Sequence, residues 1–466
     1  MSEVRIGLLP LYLKLYDDVV PETREAFAPF LERICDGLAA RGIAVTQTPV
    51  CRLAGEIGAA VREIEAAGAD LLVTMHLAYS PSLEAVDALL AARTPIVMLD
   101  TTMHRDFGRG AGPDRIMLNH GIHGVQDLAC MLRRNRRPYR VIAGHLDDPC
   151  VLDRAADLAR AAAGAARLRG MRALRIGESF RGMGDFAVDP RALAERLGIA
   201  VDQRDQDALA AHVRALDAAE VDAEMARDRE AFVVEASEDV HRRSVRAGLG
   251  LRRLLEEGGY GGFSLNFLAF DSADGPVDTV PFLEASKAMA RGLGYAGEGD
   301  VLTACLVGAL NSAFGRTNFT EMFCPDWSGD AIFLSHMGEF NPACAADRAR
   351  LVEKDFPWTA AHNPAVVTAA PAPGPAVLVN LTPGPDDALD LIVASVEVLG
   401  DATEAAMRDQ IRGWVRPRCA LGPFLERYSQ LGGTHHCAIV HGGRAEAIAA
   451  FAEYAGLGCS VIDGAR

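Results

Sequence analysis

Short apolar runs alternate with longer amphipathic segments from the first residues of the chain to about residue 168, which predicts strands alternating with helices. The predicted strands lie at Val4–Leu9, Ala44–Val50, Asp70–Met75, Pro95–Leu99 and Tyr139–Ala143. The predicted helices lie at Glu22–Arg41, Glu56–Ala67, Leu83–Ala92, Val125–Arg136 and Cys150–Leu168. This β/α repeat predicts a parallel sheet with helices on both faces.

A second β/α region begins with the predicted strand Ala173–Ile176. It is dominated by helices, including charge-rich segments at Asp207–Glu230 and Val240–Glu257. Charge runs of this kind are typical of solvated helix faces. Beyond Arg316 the pattern changes to short strands separated by Pro and Gly, and Ala369–Pro375 is interpreted as a turn between two of them.

These regions predict an α/β fold with three domains. The first two are β/α domains with parallel, flavodoxin-like sheets, residues 1–168 and 169–316, and the third is a mostly β C-terminal domain, residues 317–466. A chain of 466 residues is too long for one ordinary domain, and its 50% apolar content supplies a sizeable core.

The net charge and the cysteine pattern limit which classes of partner and which cell compartment are expected. The net charge of −16 argues against nucleic acid and against an anionic membrane as partners, because both need a positive surface. No secretory leader is apparent at the start, and no apolar run is long enough to span a bilayer, so a cytoplasmic protein is predicted. The ten cysteines are dispersed, without a Cys-Xaa-Xaa-Cys pair, and are predicted to be reduced structural thiols.

Ligands of parallel sheets collect at the carboxyl ends of the strands. In the first domain His76, Tyr79 and Asp100 are predicted to lie there, and Tyr79 is a candidate substrate contact. No Gly-Xaa-Gly-Xaa-Xaa-Gly segment follows the first strand, so a dinucleotide is not indicated.

Potential metal ligands are scattered over the last third of the chain, at Glu298, Glu321, His336 and the tandem His435-His436. Carboxylate oxygens and imidazole nitrogens together suit a divalent ion of the Mn²⁺ class. Such an ion can polarise the oxygens of a sugar or hydroxy-carbonyl substrate. An enzyme is therefore the leading hypothesis.

Each of these residues also has a purely structural explanation. A buried Glu is commonly paired or placed at a helix start, and a lone His is more often a satisfied core or surface residue. The surroundings favour a functional site. In the segment Gly297-Glu298-Gly299-Asp300, two glycines give the backbone around the Glu298 carboxylate a wide range of conformations. Asp300 is predicted to cap a helix that begins at Val301. The other candidates lie at the edges of apolar segments, where charged groups are costly unless they have a role.

In their order along the chain, these motifs resemble those of the L-arabinose isomerases, with the L-fucose isomerases as more distant relatives. The resemblance rests on Gly-Glu-Gly-Asp at 297–300, Phe-Xaa-Glu at 319–321, Ser335-His336-Met337 and Thr-His-His at 434–436. Further similar segments are Tyr260–Ser264, Ile176–Arg181, Leu118–Gly124 and Ala143–His145. The resemblance covers most of the chain and is weakest at the N-terminus and around residues 345–415.

The resemblance implies a set of metal ligands, namely Glu298, Glu321, His336 and His436, with His435 close by as a contact either of those ligands or of the substrate. It implies Mn²⁺ or another divalent cation, such as Mg²⁺ or Co²⁺, as the cofactor. It also implies that the two glutamates are the acid and the base. The metal binds the carbonyl oxygen and the adjacent hydroxyl of the open-chain sugar, and one glutamate removes a proton from C2. Reprotonation of the cis-enediol at C1 then gives the ketose, and which glutamate is the base stays open.

The resemblance further implies a homo-oligomer, a trimer or a pair of trimers, in which a neighbour's first domain helps to complete each sugar pocket. On that basis His123 would reach into the site of an adjacent subunit. The alternative for His123 is a histidine at a helix start that makes local hydrogen bonds.

Departures from the family pattern leave the substrate open. The segment Leu8–Tyr16 lacks the glutamine with which the arabinose enzymes contact the sugar, and Phe267–Phe270 replaces a Phe-Glu-Asp stretch. The predicted activity is therefore metal-dependent isomerisation of an L-arabinose-like pentose or a related aldose. The alternatives are another metal-dependent sugar enzyme, such as an epimerase or an aldolase-like enzyme, and a non-catalytic sugar-binding protein. Whether Glu178 and Asp185 have a role beyond shaping the turn after Ile176 stays open at this point.

Overall fold

The structure, a computed structural model, describes residues 3–402 and 407–464. The chain divides into two compact units, Met1–Ala163 and Gly164–Arg466. The predicted fold class is confirmed: parallel-sheet α/β architecture is followed by a mostly β C-terminal part.

The first unit is built on a parallel sheet with the strand order β2-β1-β3-β4-β5. Its strands are β1 (Arg5–Leu11), β2 (Ala44–Gln47), β3 (Leu71–His76), β4 (Ile96–Asp100) and β5 (Arg140–Ala143). Its helices are α1 (Lys14–Val19), α2 (Pro21–Glu25), α3 (Ala28–Ala39), α4 (Ala54–Ala66), α5 (Ser82–Ala91), α6 (Ile122–Arg134) and α7 (Pro149–Leu168), the last of which continues past the unit boundary.

The core of this unit explains its sequence pattern. Every residue of β3 is buried, and a strand covered on both faces has a continuous apolar run rather than an alternating one. Leu72 of β3 shares a core with Val61 of α4 and Leu128 of α6. The single helix predicted at Glu22–Arg41 is wrong, because the chain forms α2 and α3 there. Pro29 stands in the first turn of α3, where its missing N–H costs nothing.

The second unit begins with another parallel sheet, in the order β10-β9-β6-β7. The strands of this region are β6 (Arg172–Ile176), β7 (Ala200–Arg204), β8 (Val233–Val234), β9 (Gly262–Leu265) and β10 (Gly294–Gly297). Its helices are α8 (Pro190–Leu197), α9 (Asp207–Arg214), α10 (Ala218–Ala231), α11 (Glu238–Gly258), α12 (Phe282–Ala290) and α13 (Val301–Phe314). The charge-rich segment after Asp207 is two helices, because Asp217 and Glu220 form a capping box that starts α10.

The rest of the second unit is dominated by a sheet in the order β15-β18-β11-β12-β17-β16-β19, which closes into a barrel-like ring because β15 also pairs with β16. The strands are β11 (Thr317–Asp326), β12 (Ala331–Ser335), β13 (Arg350–Glu353), β14 (Ala365–Thr368), β15 (Gly374–Pro383), β16 (Leu389–Val398), β17 (Gly413–Pro417), β18 (His436–His441) and β19 (Gly458–Val461). The helices are α14 (Leu421–Gln430) and α15 (Ala445–Ala455). The segment Ala369–Pro375 joins β14 to β15, as the predicted turn requires.

A small sheet, in the order β14-β13-β8, links the two parts of the second unit. Strand β8 pairs in parallel with β13, and the two regions share a core that includes Phe232, Leu283 and Leu351. This shared packing fixes the parallel sheet relative to the barrel-like sheet within the unit. Each of the ten cysteines is a free thiol. Among the described residues, no helix is both long enough and apolar enough to cross a membrane.

Candidate functional site

Glu298 follows β10 directly, at the carboxyl end of a parallel strand. Its φ of 61° lies in the left-handed region, which non-glycine residues rarely adopt and which is often found at functional sites. Two backbone hydrogen bonds of 2.8 Å hold it there: its N–H donates to Leu265 O, and its carbonyl accepts from Phe180 N. The predicted cap is confirmed, because the Asp300 carboxylate accepts a hydrogen bond from Thr303 N at the start of α13.

Three neighbouring strands of the barrel-like sheet bring the other candidates together. Glu321 on β11 lies opposite His436, the first residue of β18, and opposite Ser335, the last residue of β12. His336 comes directly after Ser335. Strand register therefore places one carboxylate between two histidines that are far apart in the chain.

The Glu321 carboxylate faces three imidazoles. Its Oε1 lies 3.1 Å from His436 Nε2, 3.6 Å from His435 Nε2 and 3.8 Å from His336 Nε2. His436 Nε2 also lies 3.0 Å from Glu298 Oε2. Ligand atoms of four side chains lie within 4.8 Å of one another, a spacing that could hold a metal ion: Glu298, Glu321, His435 and His436. This group contains His435, which was predicted as a substrate contact, and leaves out His336, which was predicted as a ligand.

The opposite ring nitrogen of each imidazole faces a further carboxylate. His336 Nδ1 lies 2.6 Å from Glu339 Oε2, and His436 Nδ1 lies 2.9 Å from Asp300 Oδ2. His435 Nδ1 lies 2.6 Å from Asp185 Oδ2. A carboxylate that accepts a hydrogen bond from Nδ1–H fixes the ring and leaves Nε2 available, as around metal-binding histidines in general. All three Nε2 atoms face the glutamates as a result.

Sequence reasoning gave no role to two of these outer carboxylates. Glu339 stands three residues after His336, so their spacing was an available signal. Asp185 is 250 residues away from His435 in the chain, and no local pattern connects the two.

His336 is buried, with 6% of its surface exposed, and among the described residues its Nε2 has no hydrogen-bond partner. The space beside it depends on Gly297, where an added Cβ would lie 2.8 Å from His336 Cε1 and 3.2 Å from Nε2. A buried nitrogen without a partner is costly unless a ligand satisfies it.

Aromatic rings form the apolar walls of the site. The buried Phe319 packs edge-on against His336 and His436, with ring centroids 4.6 Å and 4.9 Å away. Phe186 stacks parallel to His436 at 4.7 Å. Rings that exclude water strengthen the electrostatic interactions among the charged groups.

The ionisable groups of the site shift one another's pKa values. Burial alone would raise the pKa of Glu298, but the hydrogen bond from His436 and the charges of the nearby imidazoles lower it. Burial alone would lower the pKa of His336 and of His436, but the carboxylates of Glu339 and Asp300 raise both. Protons on the imidazoles therefore balance the carboxylates, and a bound cation would release them.

The remaining predicted contacts, His123 and Tyr79, belong to the first unit. His123 is an exposed residue in the first turn of α6, with its ring edge-on to His120 at 5.8 Å. The Tyr79 hydroxyl donates to Asp127 at 3.2 Å. Their contacts with a substrate stay predictions. His76 ends β3 and is a core histidine: its Nδ1 lies 2.7 Å from Ser80 Oγ, and burial lowers its pKa to about 3.

Family models match nearly the whole chain. The L-arabinose isomerase N-terminal domain matches residues 21–170, the central domain matches residues 172–314, and the C-terminal domain matches residues 316–458.

Curated proteins with similar sequences are named L-arabinose isomerase. The L-arabinose isomerase of Acidothermus cellulolyticus is 28% identical over 407 residues, which is 84% of this chain and 80% of its own. That of Herpetosiphon aurantiacus is 28% identical over 462 residues, covering 95% of this chain and 91% of its own. That of Geobacillus kaustophilus is 27% identical over 404 residues, covering 84% and 80%. A solved ABC transporter solute-binding protein from Agrobacterium vitis is 15% identical over 67% of this chain and 89% of its own, with a TM-score of 0.16, too low to support a shared fold.

Proposed function

The chain belongs to the L-arabinose isomerase family as a divergent member, and on this premise we propose that it acts in carbohydrate metabolism on an L-arabinose-like pentose or a related aldose. The relatives are aldose–ketose isomerases, that is, intramolecular oxidoreductases. One observation carries the proposal: Glu298 and Glu321 lie together, facing Nε2 atoms of imidazoles whose Nδ1 atoms are held by outer carboxylates.

The side chains fit a divalent cation. The buried His336 Nε2 has no hydrogen-bond partner in the part of the chain that the structure describes, and Gly297 leaves the space beside it. The donor set of carboxylates and imidazoles suits Mn²⁺, with Mg²⁺ or Co²⁺ as alternatives. We assign Glu298, Glu321, His336 and His436 to hold it, with the exposed His435 beside them. When bound, such a cation polarises a carbonyl oxygen and stabilises negative charge on neighbouring oxygens.

The two glutamates are the residues we assign to proton transfer. The lowered pKa of Glu298 keeps its carboxylate ionised at neutral pH, so that it can accept a proton. Glu298 is 9% exposed and the Glu321 side chain is 13% exposed, so both are shielded from bulk water without being closed off. One glutamate would take the proton from C2 of the open-chain aldose while the carbonyl oxygen O1 gains a proton, which gives a cis-enediol. Return of a proton to C1, with loss of the O2 proton, gives the ketose without a net redox change.

The assembly and the outer contacts are part of the same proposal. His435, with 41% of its side chain exposed, would contact the substrate at the open edge of the site. Tyr79 and His123 would contact it as well, His123 from a neighbouring subunit in a cytoplasmic trimer or hexamer. Light scattering of the purified protein tests the assembly, and a monomer that is fully active would contradict it.

The experiment that tests the function is a substrate screen. Metal-free protein reconstituted with Mn²⁺ is incubated with aldopentoses, aldohexoses, 6-deoxyhexoses and tetroses in D₂O. The expected result is metal-dependent ketose formation, with solvent deuterium entering C1. If the protein binds Mn²⁺ tightly but forms no ketose from any of these sugars, the isomerase proposal is wrong. Epimerisation, cleavage or simple sugar binding would then be the functions to test.

A further inference from the structure

Two adjacent residues in the segment between β6 and α8 hold both of the tandem histidines. The Asp185 Oδ2 atom accepts hydrogen bonds from the backbone N–H of His435 at 2.9 Å and from its Nδ1 at 2.6 Å. Phe186, next in the chain and 2% exposed, stacks its ring on His436 at 4.7 Å with an interplanar angle of 4°. The pair Asp185-Phe186 thus fixes the orientation of two consecutive imidazoles.

The hydrogen bond to Asp185 decides what His435 offers to the site. In the tautomer that donates Nδ1–H to this carboxylate, the ring carries a lone pair at Nε2. That Nε2 lies 3.6 Å from Glu321 Oε1, which also carries only lone pairs. Two acceptors cannot donate to each other, so each is open to a donor that lies beside the pair, and a hydroxyl group is such a donor.

Exposure distinguishes the two tandem histidines. The His436 side chain is 0% exposed, whereas that of His435 is 41% exposed. A ligand that approaches from solvent therefore reaches His435 first. Asp185, with 37% of its side chain exposed, lies at the same open edge.

We propose that Asp185 is a positioning residue for substrate recognition: it holds His435 in the tautomer whose Nε2 accepts a hydrogen bond from a hydroxyl of the open-chain sugar. The inference rests on the proposed function, because it names the group that orients that substrate. Asp185 acts through His435 and touches no reacting atom itself.

The test measures binding rather than turnover. L-Arabinitol, an open-chain polyol that cannot isomerise, is titrated calorimetrically into Mn²⁺-loaded protein, and Mn²⁺ is titrated separately into metal-free protein. Asp185→Asn should weaken L-arabinitol binding about tenfold, because it weakens a charge-assisted hydrogen bond to the orienting ring. Its affinity for Mn²⁺ should stay within about twofold of wild type. Asp185→Glu, which keeps the carboxylate, should recover part of the loss.

A double-mutant cycle shows whether Asp185 acts through His435. In a His435→Gln background, adding Asp185→Asn should cause no further loss of L-arabinitol affinity. Asp189→Asn is the matched control, because it removes the same charge four residues later, where Asp189 caps α8 through Arg191 N. This control should bind L-arabinitol as wild type does.

Two results for Asp185→Asn would overturn the inference. Unchanged L-arabinitol affinity would mean that the hydrogen bond between Asp185 and His435 does not orient a group that the sugar contacts. A tenfold or greater loss of Mn²⁺ affinity would make His435 a metal ligand instead of a sugar contact. Wild-type protein that binds no L-arabinitol at millimolar concentration would also contradict it. Wild-type protein that binds L-arabinitol but isomerises no aldose would refute the proposed function alone, and the variants would still decide the role of Asp185.

Discussion

The second unit contains two clusters of buried carboxylates whose negative charges are compensated in different ways. The helical ion cluster, on α10, α11 and α12, comprises Glu224, Asp228, Glu284, Arg252, Lys287 and Arg291. The glutamate–histidine cluster comprises Glu298, Asp300, Glu321, Glu339, His336 and His436. Both hold acidic groups out of water, which is costly unless the charge is compensated.

In the helical ion cluster, permanent cations compensate the acids. Arg252 bridges Glu224 at 2.6 Å and Glu284 at 2.8 Å, and Lys287 contacts both Glu224 and Asp228. Burial alone would raise the pKa of Glu224, but the hydrogen bonds from Arg252 and Lys287 hold it well below its usual range. Asp228 also lies 3.0 Å from His241 Nε2, but each of the three acids contacts at least one lysine or arginine.

In the glutamate–histidine cluster the compensation is removable. Throughout residues 3–402 and 407–464, the ion pairs of its four carboxylates are with histidine and not with lysine or arginine. An imidazole can give up its proton near neutral pH, whereas a guanidinium cannot. The comparison teaches that permanent cations suit a cluster that stabilises the fold, whereas compensation by imidazoles fits the proposed exchange of protons for a cation.

Changing an acid of the glutamate–histidine cluster should affect catalysis most. Glu321→Gln is expected to lower kcat for aldose isomerisation by a factor of roughly 10² to 10⁴, because it removes a proton-transfer group. Steady-state kinetics with excess Mn²⁺ measures this, and urea unfolding of the metal-free variant should give a midpoint near that of metal-free wild type. A variant that keeps wild-type kcat would show that Glu321 takes no part in the chemistry.

Removing a permanent cation should instead affect stability. Lys287→Met is expected to cost roughly 3 to 5 kcal/mol of unfolding free energy, because it leaves buried carboxylates without one of their partners. Urea unfolding followed by circular dichroism measures the loss. The kcat of the folded fraction should stay near wild type, and a large fall in kcat would mean that the two clusters are coupled.

Metal should stabilise the protein only through the glutamate–histidine cluster. At about one hundred times its Kd, Mn²⁺ is expected to add about 2.7 kcal/mol, because it binds the native state. Thermal unfolding with Mn²⁺ and with EDTA measures the difference. Lys287→Met should retain the shift and Glu321→Gln should lose most of it. An equal shift in both variants would place the binding elsewhere.

The smallest effect is the acid sensitivity of the helical ion cluster. The folded pKa of Glu224 lies below its ordinary value of 4.5, so below pH 4.5 the unfolded chain binds a proton that the native protein does not. The stability from Glu224 is therefore present above pH 4.5 and is lost as the pH falls below it. Between pH 4.5 and 3.5, wild type should lose about 1 kcal/mol more than Glu224→Gln in urea titrations. Parallel pH profiles would contradict this account.

Local sequence could predict part of the fold and of the site. Apolar periodicity located most helices and strands of the first unit, and the motif Gly297-Glu298-Gly299-Asp300 predicted both a free backbone and the cap of α13. The apolar periodicity did not predict the break between α2 and α3. There Pro29, in the first turn of α3, starts a new helix inside a continuous apolar pattern.

The sequence by itself determined the order of the β/α and β regions, most elements of the first unit and which donor atoms are available, because periodicity, caps and side-chain chemistry are local properties. Only the tertiary structure decided how those donors meet. The register of β11 with β12 and β18 sets Glu321 beside His336 and His436, and the fold brings Asp185 to His435 across 250 residues. Distances of this kind depend on strand pairing and core packing, which arise from the whole chain and not from any one segment of it.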